Sequence, residues 1–187
     1  SQGAVNAGDY TITASGLTSG NYDITYDGGT LTVNKASLTV TAADDSKTYD
    51  GLVYNGGNGV SYAGFVDDED PSVLSGTLAY GGTAQGAVNA GNYTIAPSGL
   101  TSGNYDITYD SGTLTVNKAA LTIAADNETQ IYGSPYAFAG SEFAVTGLIG
   151  GDTVTSVGLT STGDVATAGV GTYAIDASAA LGSGLSN

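Results

Sequence analysis

The sequence predicts an all-β protein built from tandem copies of one small sandwich. The first observation is a repeat. Gln2–Val40 and Gln85–Ile123 align over 39 residues at an offset of 83 residues. They differ only at Asp9/Asn92, Thr13/Ala96, Ala14/Pro97, Gly28/Ser111, Ser37/Ala120 and Val40/Ile123. The second is periodicity: Val, Ile, Tyr, Leu and Thr recur at alternate positions, and no segment sustains a 3.6-residue period. The third is punctuation. Thirty Gly residues, with Asn, Asp and Ser, separate the short runs, which is the chemistry of turns between strands.

Each element follows from that pattern. Tyr22, Ile24 and Tyr26 alternate with Asp23, Thr25 and Asp27, then Asp27-Gly28-Gly29 turns the chain. Leu31 and Val33 continue the alternation on the return strand. This predicts a hairpin with one buried face, and places Tyr22, Tyr26 and their counterparts Tyr105 and Tyr109 in the core. After Lys35 the parity changes: Leu38 and Val40 point inward, Ser37, Thr39 and Thr41 outward. A one-residue slip exchanges the faces of a strand, so Asn34–Ser37 is a junction, as is Asn117–Ala120. The upstream halves also correspond. Leu38-Thr-Val and Tyr49-Asp50-Gly51 match Leu121-Thr-Ile and Tyr132-Gly133, and Gly64-Phe65-Val66 matches Gly147-Leu148-Ile149. A diverged echo of Gly91-Asn92-Tyr93 begins at Ala168.

The expected domains are therefore 1–35 (the C-terminal part of a first repeat), 36–118 (a complete repeat) and 119–187 (a third, truncated at its C-terminus). The chain reads as a window on a longer array. About seven short strands per repeat suit a sandwich. Gly91-x-Tyr93 ahead of an alternating strand fits the tyrosine corner of immunoglobulin-like sandwiches. Junctions of a few residues without a Gly/Ser spacer restrict bending, so the repeats are expected to form an elongated rod. Each would add about 35–45 Å, at roughly 3.3 Å per strand residue.

Composition excludes several functions. Three Lys and no Arg stand against 18 Asp and Glu, a net charge of −15. Nucleic-acid binding needs a basic face, and so does adsorption to an anionic membrane. Neither Cys nor His occurs, which removes disulfides, His-ligated metals and His-dependent nucleophiles. Asp110-Ser111-Gly112 has the form of an aspartic-protease triplet, but its sister Asp27-Gly28-Gly29 lacks the hydroxyl, and both read as turns. Paired carboxylates for glycoside cleavage would need a cleft that a small repeat does not build. The chain is not expected to be an enzyme.

Two candidate sites remain. Asp67, Asp68, Glu69 and Asp70 form the densest acidic run. Hard cations take several oxygen ligands, so the run is a candidate Ca²⁺ site, against the plainer reading of a solvated loop; no other cofactor is expected. Asp44, Asp45 and Asp126 near the junctions, with Asp23, Asp27, Asp106 and Asp110, form a weaker Ca²⁺ candidate, against a role in blunting sheet edges. Tyr54, Tyr62, Tyr80 and Tyr136 lie in Gly-rich stretches. Exposed aromatic faces beside Asp and Asn suit sugar rings, so these four are candidate carbohydrate contacts, against a Tyr-rich core. Lys35 beside Asn34 and Lys118 beside Asn117 have the residue types of an isopeptide crosslink or of plain junction residues, and Asn92 and Asn127 open glycosylation sequons.

The repeat resembles a known family. Leu-Thr-Val before Tyr-Asp-Gly, a Gly-aromatic or Gly-Leu step before acidic residues, and Ala-Gly-x-Tyr-x-Ile occur in order. Asn-Tyr-Asp-Ile-Thr-Tyr-Asp-x-Gly-Thr-Leu-Thr-Val-Asn-Lys then closes the unit. This is similar to the MBG/YDG glycine-rich repeats of large secreted bacterial adhesins, including filamentous-haemagglutinin-like exoproteins of two-partner secretion and biofilm-matrix adhesins. The third copy, with Tyr132-Gly133, looks like the related variant. The resemblance implies an extracellular or cell-surface protein. Its role would be a structural stalk that works by reach, with neighbouring repeats as its contacts. A polysaccharide or cell-surface receptor would then be engaged through the parent protein, with no nucleic acid and no direct membrane insertion. The alternative is an exopolysaccharide-binding module using Tyr with Asp and Asn.

Overall fold

The computed structural model describes residues 5–185. The first residues of the repeat alignment, 2–4, lie outside them. The first strands are β1 (Gly8–Ile12), β2 (Gly29–Val33), β3 (Ala36–Ala42), β4 (Asp45–Thr48) and β5 (Val60–Ala63). After a single 3-10 turn at Pro71–Val73 come β6 (Ser75–Gly81), β7 (Gly91–Thr101), β8 (Tyr105–Asp110) and β9 (Gly112–Asn117). The chain closes with β10 (Thr122–Ala125), β11 (Phe143–Thr146), β12 (Thr153–Thr160) and β13 (Asp176–Ser183). The protein is all-β and sandwich-like, and seven of these strands, β3–β9, fall within residues 36–118. Among the described residues no helix is long and apolar enough to cross a membrane.

Two compact units are distinguished. One comprises Ser1–Asp45, Asn55–Gln85 and Tyr93–Leu114; the other comprises Ser46–Tyr54, Gly86–Asn92 and Thr115–Asn187. The sheets are β5-β3-β8, β4-β9-β7-β6 and the two-stranded pairs β1-β2, β10-β11 and β12-β13. β3 is the centre of the three-stranded sheet. It runs antiparallel to β5 and parallel to β8, with Ala36 opposite Tyr105, Leu38 opposite Ile107 and Val40 opposite Tyr109.

Burial follows the parity of the sequence. Leu38, Val40 and Ala42 of β3 are buried, and so are Ile95 and Pro97 of β7 and Gly112, Leu114 and Val116 of β9. Burying a side chain of this size is worth about 1.5–3 kcal/mol, so these few positions carry much of the stability. Tyr105 on β8 is 2% exposed, as the alternation requires. The expected hairpin is corrected: β8 and β9 lie in different sheets, so the turn between them carries the chain from one sheet to the other. The sister of Tyr105, Tyr22, is 78% exposed, and Tyr26 is exposed as well. The expectation that Tyr22 and Tyr26 are core is thus corrected. Residues 22–27 form no strand, whereas residues 105–110 lie against β3. The same sequence buries its face only where a sheet receives it.

Two local devices recur. The Tyr10 hydroxyl donates to the Asn6 carbonyl (2.7 Å) and the Tyr173 hydroxyl to the Gly169 carbonyl (2.9 Å), the clasp expected of a tyrosine corner. The Tyr26 hydroxyl bonds both backbone groups of Leu17, and the Tyr109 hydroxyl those of Leu100, nine residues upstream in each case. The invariant glycine of the Gly-aromatic or Gly-Leu step also has a steric cause. At Gly64 (φ +117°) a Cβ would run into the Ser37 carbonyl oxygen, and at Gly147 (φ +98°) into that of Ala120. Here the backbone must pass against β3 or the start of β10 with no side chain between.

The third copy breaks one such rule. Gly16 (φ +100°) and Gly99 (φ +91°) follow Ser15 and Ser98, but after Ser178 comes Ala179, held at φ +47°. Left-handed backbone costs a non-glycine residue about 1–2 kcal/mol. Ala179→Gly is therefore expected to stabilise the chain by about 1 kcal/mol in urea denaturation. Gly147→Ala is expected to destabilise it by about 1–3 kcal/mol in the same assay.

Candidate functional site

An open groove lies within residues 125–175, in the third copy. Its volume is about 790 Å³. Residues 126–130 form one wall and residues 171–175 another, with Tyr132, Tyr136 and Phe138 adding aromatic surface. Neither 126–130 nor 171–175 forms a strand. In the second copy the corresponding segments are β4 and the first half of β7, which flank β9 on either side.

The groove is held by short-range contacts. Tyr136 packs edge-on against Phe138, with ring centroids 5.0 Å apart. Its backbone N–H donates to the Asp164 carbonyl at 2.8 Å. The Gln130 amide donates to the carbonyls of Gly163 and Val165. The Tyr173 ring lies directly over Gly163, where a Cβ would meet it at 2.5 Å. Partial burial, followed by a hydrogen bond to Glu128, pushes the Tyr136 phenol above the usual tyrosine value. The charged residues on the walls are Asp126, Glu128 and Asp164, all acidic. Such a lining suits neutral polar or backbone groups and repels anions.

The acidic run predicted as a Ca²⁺ candidate is engaged with its own loop. Asp67 and Asp68 hold positive φ angles of 53° and 59°. Glu69 accepts a short hydrogen bond from the Tyr105 hydroxyl, which also accepts from Val66 N–H at 3.1 Å. The bond to Glu69 is the main cause that raises the Tyr105 phenol. Asp70 accepts from Ser72 N–H at 2.8 Å. The Ser72 side chain, and after it this backbone bond, lowers its carboxyl. Among the described residues no group of three or more carboxylates gathers in a form that could hold a metal ion. Near the junctions, Asp44 accepts from Thr113 N–H (2.7 Å).

The four candidate sugar-binding tyrosines are half-buried. Tyr62 packs on Phe65, and Phe65 packs edge-on against Tyr105. Tyr80 covers Gly57. Tyr54 exchanges backbone hydrogen bonds with Ala87 and Gly86 (both 2.9 Å). Only Tyr136 reaches the groove. Lys35 is exposed and donates to the Ser102 carbonyl at 3.0 Å.

Two contact sets escape the sequence. Asn104 accepts from Ala7 N–H (3.0 Å) and Ala36 N–H (2.9 Å) and donates to the Asn6 side chain (3.0 Å). Tyr49 donates to Asp152 at 2.9 Å, and that bond is the leading reason its phenol is raised. The repeated Ser-Gly-Asn-Tyr at 102–105 and the tyrosine of Tyr-Asp-Gly were the available signals, but neither names its partner.

Comparison with the curated proteins and with the solved structures gives no match. One family description, MBG domain (YGX type), matches residues 1–32, 38–115 and 121–187. It takes in the copy carrying Tyr49-Asp50-Gly51 as well as the one carrying Tyr132-Gly133. With nearly the whole length covered by three successive matches, the chain belongs to the MBG domain family, of the YGX type.

Proposed function

We propose that this chain is a structural extender of an extracellular bacterial adhesin or biofilm-matrix protein, working by reach and not by catalysis. The repeat family and the all-β structure point to a non-catalytic domain. The observation that carries the reading is that successive copies are tied by direct hydrogen bonds with no spacer. Asn104 of the second copy clasps Asn6 and Ala7 of the first, while Lys35 donates to the Ser102 carbonyl. Tyr49 of the second copy bonds Asp152 of the third. Such clasps resist bending, which is what a spacer needs to transmit position. The half-buried packing of Tyr54, Tyr62, Tyr80 and Tyr136 favours this role over a lectin-like one. Any polysaccharide or cell-surface receptor is then met elsewhere in the parent protein, and the excess of acidic charge keeps neighbouring molecules apart.

Residual dipolar couplings test the claim. The first two copies are expected to share one alignment, and Asn104→Ala to loosen it; independent alignment in the unmodified chain would sink the reading. The Tyr49 contact adds a pH dependence. A raised phenol keeps its proton more tightly when folded, so its contribution is complete below the unfolded tyrosine value of about 10 and is lost as pH rises through the folded one. Ultraviolet titration should show late ionisation of Tyr49, Tyr105 and Tyr136, with one late-ionising tyrosine fewer in Tyr49→Phe.

A further inference from the structure

We infer that the loop between β4 and β5 carries a self-modification site. Asn58 converts to aspartate or isoaspartate by attack of the Gly59 backbone nitrogen, while Gln85 protects the neighbouring Asn55 from the same reaction. The inference goes beyond the extender role and does not depend on it.

The loop, residues 49–59, belongs to the complete copy. It holds the only two Asn-Gly pairs of the sequence, Asn55-Gly56 and Asn58-Gly59. Both asparagines are exposed. Glycine has no Cβ, so its nitrogen can reach the side-chain carbonyl carbon of the preceding asparagine unhindered. That nitrogen loses its proton and bonds to Cγ. The Cγ–Nδ2 bond breaks, and ammonia leaves with a proton equivalent to the one lost. Water then opens the succinimide ring at either carbonyl. One product is aspartate; the other is isoaspartate, with one more carbon in the backbone. Nothing is oxidised or reduced, and water is the only co-reactant.

The fold treats the two pairs differently. Gly56 N–H donates to Gln85 Oε1 at 2.8 Å, and the Gly56 carbonyl accepts from Gln85 Nε2 at 2.8 Å. Gln85 thus acts as a short stretch of neighbouring strand, and both bonds are half-buried. The Tyr80 ring lies directly over Gly57 on the next step of the chain. Gly56 nitrogen cannot attack without breaking its bond to Gln85. Gly59 is held through its carbonyl, which accepts from Ala43 N–H at 3.0 Å; its own N–H donates to no group among the described residues. Asn58 Nδ2 donates to the Asp44 carbonyl at 2.9 Å, an exposed bond for which water competes. A third glycine pair in the loop, Asp50-Gly51, is protected by charge. Lys47 (2.6 Å) and Leu52 N–H (2.9 Å) hold the Asp50 side chain as a carboxylate, which is a poor electrophile.

Conversion has a local consequence. It adds one negative charge to a chain that already carries −15. Residue 58 loses the donor that meets the Asp44 carbonyl, beside the point where Ala43 and Gly59 tie β3 to β5. The counterpart segment of the third copy, residues 132–142, contains no asparagine, so the change marks one copy and not the other.

The test is long incubation of the folded 187-residue chain at neutral and mildly alkaline pH. Peptide mapping by mass spectrometry then follows aspartate and isoaspartate at positions 55 and 58. Asn58 is expected to convert first, faster at the higher pH, with Asn55 about tenfold slower. In urea the two rates should converge. Gln85→Leu is expected to speed Asn55 about tenfold and leave Asn58 unchanged, with circular dichroism checking that the variant folds. If it does not fold, the comparison of Asn55 with Asn58 in the unmodified chain, with and without urea, still decides. Conversion of Asn55 as fast as Asn58 in the folded chain overturns the inference. So does a folded chain in which Asn58 stays intact while it converts in urea, or a folded Gln85→Leu variant that leaves Asn55 as slow as before.

Discussion

The structure depends on one long-range ladder: the parallel pairing of β3 with β8. It joins the first strand of the complete repeat to β8, the first of its two closing strands, with Ala36 opposite Tyr105. Closing a loop of that length has an entropic cost that grows only slowly with length, and the return is the burial of Leu38, Val40 and Tyr105. The turn after β8 then carries β9 into the second sheet, between β4 and β7, where Leu114 and Val116 are buried. One supersecondary unit thus completes both layers. Where no strand among the described residues receives it, as for Tyr22–Asp27, the same sequence is exposed.

This explains what was legible in the sequence. The strand-turn-strand of 105–117, the change of parity after Lys35 and the tyrosine corner are local, and the sequence displays them directly. The exposure of Tyr22 was not legible, because burial of that face depends on a partner strand tens of residues away. Nor does alternation reveal whether that pairing is parallel. The acidic run illustrates the same limit. Its composition suggests a cation site, yet Glu69 is spent on the Tyr105 hydroxyl and Asp70 on Ser72 N–H. Sequence shows which carboxylates are close in the chain, and only the fold shows which donors reach them first.

The comparison of copies separates what the fold needs from what a copy can lose. Gly64 and Gly147 recur because a carbonyl oxygen fills the space a Cβ would need. The acidic run does not recur, since Gly150-Gly151-Asp152 stands in its place, and there Asp152 meets Tyr49 instead. The junction contacts use side-chain amides, a phenol and one lysine, in a chain with only three positive side chains. The contacts between copies therefore rest on directional hydrogen bonds more than on ion pairs, and salt should affect them little.

Amide hydrogen exchange at a concentration where the chain is monomeric tests the central claim most directly. If the β3–β8 ladder closes the repeat, the amides of 38–42 and 105–110 should be the slowest to exchange and should open together. Those of 22–27, identical to 105–110 in sequence, should exchange at nearly the rate of free peptide. Equal protection of the two identical segments would contradict the account, because burial would then follow local sequence and not the sheet that receives it.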